Sequence, residues 1–126
     1  MKFKTLMLIK AVVCLVFGFL LLFLPNQLMT FLGASIGPAG LYLGRLYGAS
    51  LTGTLLLTWF ARDAGESKAR RAIILYLFIY DAIGFVVTLV NVMNGTLNWL
   101  GWGIVAIYLL FTTGFGYFWF ANKSEI

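Results

Sequence analysis

Two charges set within apolar sequence, Arg45 and Asp81, are where this chain has the means to do chemistry. A charge inside hydrocarbon costs at least about 2.5–3.5 kcal/mol on insertion scales, so it is kept where it is partnered or used. The remaining reactive inventory is thin. There is no histidine, and with it go the commonest general base and the commonest metal ligand. The single cysteine, Cys14, excludes an internal disulfide and a CxxC redox pair. It reads as a small apolar residue packed in a helix. Of the four acids, Asp63 and Glu66 share a polar loop and Glu125 falls among the last residues, leaving Asp81 alone in an apolar run. With no paired acid and base and no carboxylate pair for a metal, the sequence points away from an enzyme. It calls for no metal and no cofactor.

The elements that must position these charges follow from composition. Of 126 residues, 62% are hydrophobic and 10% charged. A soluble domain carries roughly 25% charged residues and a disordered chain is poor in apolar ones, so both classes are excluded. The expectation is one integral membrane domain over residues 1–126, an all-α bundle of four transmembrane helices. A span needs about 20 mostly apolar residues. The stretches that qualify are residues 5–24, 39–61, 72–93 and 97–121. Pro25 follows the first, and the break after it is itself apolar at Leu28, Met29, Phe31 and Leu32. It reads as a kinked helical continuation or an interfacial turn. No small-x-small cleavage site follows the first run, so it is taken as a retained span rather than a signal peptide. Lys10, one turn inside it, is expected to snorkel to the interface.

Lys2, Lys4, Lys10, Arg62, Lys68, Arg70, Arg71 and Lys123 all flank one side of this layout, and the two opposite loops carry no charge. The positive-inside rule then puts both termini and the 62–71 loop in the cytoplasm, in a multi-pass inner-membrane protein. Trp59 and Trp119 at one side and Trp99 and Trp102 at the other fit interfacial belts. The net charge of +5 points to a membrane surface and not to nucleic acid. Lys68, Arg70 and Arg71 either bind anionic head groups or, the blander reading, set topology.

Counted from Glu66, Arg45 lies 21 positions away and Asp81 lies 15. The difference of six residues is about 9 Å of depth at the helical rise, which leaves open a stretched direct salt bridge or a bridge through a water or hydroxyl. Helical counting places Ser50, Thr54 and Thr112 level with Asp81, and Thr88 level with Arg45. This polar layer either satisfies buried hydrogen bonds or lines a path for a proton or small polar ligand.

Gly40, Gly44 and Gly48 recur every four residues in the second span, with Ala49 and Gly53 as a neighbouring small pair. Such stripes let helix backbones approach closely in lipid, against another span of the chain or across a homodimer seam. Gly101, Gly103, Gly114 and Gly116 recur at two-residue spacing and suggest local backbone flexibility or crowding on two sides. Phe111, Phe115, Tyr117, Phe118, Trp119 and Phe120 suggest a lipid-facing collar. Trp59-Phe60-Ala61 returns 60 residues later as Trp119-Phe120-Ala121, consistent with two parallel helical hairpins.

The run GPAGLYLGRLYGASLTGTLLLTWFARDA, followed by a basic loop and a third span, resembles small four-helix bacterial membrane proteins of uncharacterised function. The resemblance implies a bacterial cytoplasmic membrane and transfers no catalytic residue. Small multidrug transporters place a glutamate in the first span, which is lacking here, and fluoride channels place their arginine near the start of the chain. Two functional readings follow. One is a non-enzymatic accessory or scaffold protein that packs against membrane lipids, a larger complex or a second copy of itself. The other is a small homo-oligomeric carrier that uses Asp81 and Arg45 for a proton-coupled or small polar ligand.

Overall fold

The structure, a computed structural model, describes residues 2–121. It is helical, with no strand among the described residues: α1 (Phe3–Phe23), α2 (Pro25–Phe31), α3 (Pro38–Ala61), α4 (Lys68–Met93) and α5 (Gly101–Ala121). Lys123 and Glu125, weighed above, lie outside the described residues. The chain divides between Arg62 and Asp63 into two compact units.

Local chemistry sets the helix ends. Leu24 leaves the helical region (φ −134°, ψ 48°) and Pro25, at the first position of α2, restarts it. Proline suits that position, where its missing N–H has no intrahelical acceptor to lose. The apolar break is therefore a kinked helical continuation. Gly33 (φ 84°) closes α2 and Gly95 (φ 86°) closes α4, both in the left-handed region where a Cβ is strained. Ser67 accepts a hydrogen bond from the Arg70 backbone N–H, so α4 begins a turn before the expected 72. Asn98 accepts one from the Leu100 backbone N–H and α5 starts only at Gly101, four residues after the expected 97.

α1, α4 and α5 are each long and apolar enough to cross a membrane. α3 occupies the expected second span and is long enough, but Arg45, its glycines and its threonines leave it less apolar than the other three. Large apolar side chains stand exposed along these helices: Phe19 and Phe23 on α1, Ile83, Val86 and Met93 on α4, Leu109 and Tyr117 on α5. Facing water, patches of this extent are aggregation surfaces; facing lipid, they match their solvent. The chain has the character of a membrane protein.

In the N-terminal unit α1 packs antiparallel on α3. Two glycines make the seam. A Cβ on Gly48 would lie 2.9 Å from the Leu22 amide nitrogen and 3.1 Å from the Gly18 carbonyl oxygen. A Cβ on Gly18 would lie 3.3 Å from Thr52 Oγ1, and one on Gly44 3.5 Å from Pro25. The two backbones touch because neither carries a side chain there. The stripe of Gly44 and Gly48 thus turns inward, onto the first span of the same chain. Gly40 faces its own helix's approach, at Ile36.

The C-terminal unit is a second antiparallel hairpin, α4 against α5, built by rings in glycine hollows. A Cβ on Gly84 would run into the Tyr108 ring, one on Gly116 would meet Phe78 Cε1 at 3.0 Å, and one on Gly101 would meet Val92 at 2.6 Å. Gly101 and Gly116 therefore serve one side of α5, while a Cβ on Gly103 would meet nothing within 4 Å. The aromatics of α5 also divide. Phe111 and Phe115 are buried and stacked, with centroids 6.1 Å apart, whereas Tyr117 and Phe120 are exposed. The collar expected from all six is a collar on one face and core on the other.

Candidate functional site

The charged side chains of the apolar helices are handled differently at each position. Asp81 is 0% exposed, on the buried stripe of α4 with Ile74 and Leu77. Positions 74, 77 and 81 share one face by the 3.6-residue period. Arg45 is exposed on α3. Lys10 is only 3% exposed and does not snorkel. It lies on the α1 stripe with Leu6, Met7 and Cys14, at the spacing that faces inward, so the geometry of its Cα overrides the reach of its stem. Cys14 is buried, as expected of a small apolar residue packed in a helix.

The hydroxyls expected as a polar layer bond first to their own helices. Thr54 Oγ1 donates to the Ser50 carbonyl (3.0 Å), Thr58 to Thr54 (2.9 Å) and Thr112 to Tyr108 (2.7 Å). Backbonding of this kind hides a hydroxyl in hydrocarbon without a neighbouring helix. Thr54 and Thr58 are buried, Thr88 and Thr112 half-buried, and Ser50 exposed. Ala49 and Gly53 are exposed, and a Cβ on Gly53 would meet nothing within 4 Å. Of the small residues singled out on α3, Gly44 and Gly48 are spent inside the unit and Ala49 and Gly53 are open.

A second cluster closes the polar ends of α4 and α5. Arg71, 3% exposed, donates from Nη1 to the Phe118 carbonyl at 3.1 Å and lays its guanidinium over the Trp119 ring, 4.0 Å from the centroid. A carbonyl in the last turn of a helix has no intrahelical donor and sits at the negative end of the dipole, so a cation there is doubly favoured. Arg62 repeats the arrangement in the N-terminal unit, donating to the Trp59 carbonyl and stacking at 4.0 Å on its ring. Each Trp-Phe-Ala end thus carries an arginine, from the end of the same helix at Arg62 and from across the hairpin at Arg71. Arg70 reaches back one turn to Glu66 at 3.3 Å. The sequence shows Arg62 as a topology signal and Arg70 and Arg71 as a topology signal or a head-group cluster, without these partners. Their partner carbonyl and ring lie 47 and 48 residues away in the case of Arg71, beyond any local pattern.

Among the described residues no group of three or more histidine, cysteine, aspartate or glutamate side chains is placed to hold a metal ion. A shallow apolar hollow of about 540 Å³ opens beside Asn26, Gln27, Thr30 and Phe31 on α2. No family model, curated protein or solved structure matches the chain.

Proposed function

We propose that the chain is a four-span protein of the cytoplasmic membrane, with both ends cytoplasmic, acting as a non-enzymatic accessory subunit. Its docking surface is the open ridge of α3. At 24 residues α3 is about 36 Å long by helical rise, enough for a layer of about 30 Å. The observation that carries the reading is the pair Ala49 and Gly53, four residues apart and open, on the helix whose other small stripe is already closed by α1. Small residues at this spacing let a partner helix approach in lipid, where packing rather than hydrophobic drive supplies association. Arg45 extends the same ridge one turn earlier, and a charge at that place needs a partner.

Native mass spectrometry of the protein extracted with its surrounding lipid tests this. The expected result is co-extraction with a larger membrane protein at fixed stoichiometry, lost on Gly53→Leu while the amount of chain in the membrane holds. A bare monomer overturns the reading.

A homo-oligomer retaining a small ligand supports the second reading, a carrier. The burial of Asp81 within α4 favours it, because a carboxylate kept in a membrane helix is expensive and commonly functional. Asp81→Asn then abolishes pH-coupled activity with the fold intact. Loss of both Asp81→Asn and Arg45→Gln from the membrane makes the two charges structural.

A further inference from the structure

We propose that the open ridge of α3 takes a membrane-spanning helix of a different protein, and that this helix carries a carboxylate which pairs with Arg45. The inference rests on the accessory reading and names the chemistry of its partner. Tyr42, Leu46, Ala49, Gly53 and Leu56 are all exposed. Their spacing alternates four and three residues, the seam of a left-handed helix pair, which is the usual crossing of membrane helices. Ala49 and Gly53 stand at its middle, where two backbones come nearest, with larger side chains on either side. In that register Arg45 stands one residue before a seam position, on the flank where paired helices place the charges that choose a partner. Its Cα lies about 10 Å along the axis from Pro38, inside the apolar stretch.

Arg45 is exposed and has no hydrogen bond or ion pair among the described residues. The chain's own acids do not answer it. Asp81 is 0% exposed, closed to a second copy as to any other partner. Asp63, Glu66 and Glu125 fall on the cytoplasmic side of the four-span reading, and Arg45 falls in the outer half. A second copy inserted by the same charge bias runs parallel, and there the flank position facing Arg45 is five residues on, at Ser50. It offers a hydroxyl and no carboxylate. The other basic residues all flank the cytoplasmic side, and Arg45 is the exception. A cation kept in hydrocarbon on the side the rule disfavours is accounted for by an acid that arrives with a partner.

The test places a photo-crosslinking benzoylphenylalanine at Leu46, exposed on the ridge, with Arg45 intact, and irradiates native membranes. The adduct peptide is then sequenced. The expected adduct is an apolar span of another protein with Asp or Glu within one helical turn of the depth of Arg45. Arg45→Gln is expected to lower its yield about tenfold at equal membrane amount, the scale of an interhelical polar contact in lipid. Arg45→Glu should abolish it, and exchange of the partner's acid for arginine should restore it. If the Arg45 variants leave the membrane, the partner's acid is exchanged for its amide while this chain stays wild type, with the same tenfold loss expected. A foreign span without such an acid, or a yield indifferent to these changes, overturns the pairing and leaves the accessory reading standing. An adduct with a second copy, or with lipid only, overturns both.

Discussion

Two glycines five residues apart on α3 should respond in opposite directions to the same added methyl. At Gly48 an alanine Cβ would stand 2.9 Å from the Leu22 amide nitrogen, 3.0 Å from Leu21 Cβ and 3.1 Å from the Gly18 carbonyl oxygen. Two of those three atoms are backbone of α1, which cannot rotate away, so the helices must separate. Overpacking of this kind costs about 1–3 kcal/mol. Replacing glycine by alanine within a helix returns about 0.5–1 kcal/mol of propensity. The net expectation for Gly48→Ala is a loss of up to about 2.5 kcal/mol, about 1 kcal/mol at the middle of the range. At Gly53 the same methyl meets nothing within 4 Å, leaving only the propensity gain of about 0.5–1 kcal/mol. Reversible unfolding in mixed detergent, followed by circular dichroism, measures both variants against wild type. Gly48→Ala at or above wild-type stability would refute the backbone seam between α1 and α3. A destabilised Gly53→Ala would show that the α3 ridge is covered within the chain itself.

Further expectations follow from single contacts. Gly84→Ala should lose about 1–3 kcal/mol because its methyl meets the Tyr108 ring, and Tyr108→Val should relieve much of it; additive effects in a double-mutant cycle would count against that contact. Cys14, 1% exposed, should resist a membrane-permeant maleimide in the folded protein and react once it is unfolded; rapid labelling of the native form would place α1 differently. Trp119→Leu should weaken the hold on Arg71 by about 0.5–2 kcal/mol, read as a lower unfolding midpoint with no change in membrane amount; an unchanged midpoint makes the ring incidental. Single cysteines at Gly37 and Gly65, in a Cys14→Ala background, should label from opposite sides of the membrane; labelling from one side shows that α3 does not span.

The membrane class, the number of long helices and most of their ends were legible in the residues themselves. Composition excludes a soluble surface, and Pro25 acts through its own backbone, so local sequence carries the whole reason there; Ser67 acts as locally, but the apolar run begins later and placed the start of α4 a turn late. The second span was less plain, because Arg45 and the small residues of α3 that suit helix packing also lower its apolarity. Which face of each helix is core was beyond reach. Helices apolar on every side give no polar face to read against, since lipid and core accept the same side chains. Only tertiary packing decided that Gly48 is closed and Gly53 open, that Phe115 is core and Phe120 is collar, and that Lys10 is buried rather than snorkelling. The same holds for Arg71, whose carbonyl and ring partners come from the far end of α5. Residue type sets what a side chain is able to do. Contact across the hairpin sets which of those things it does.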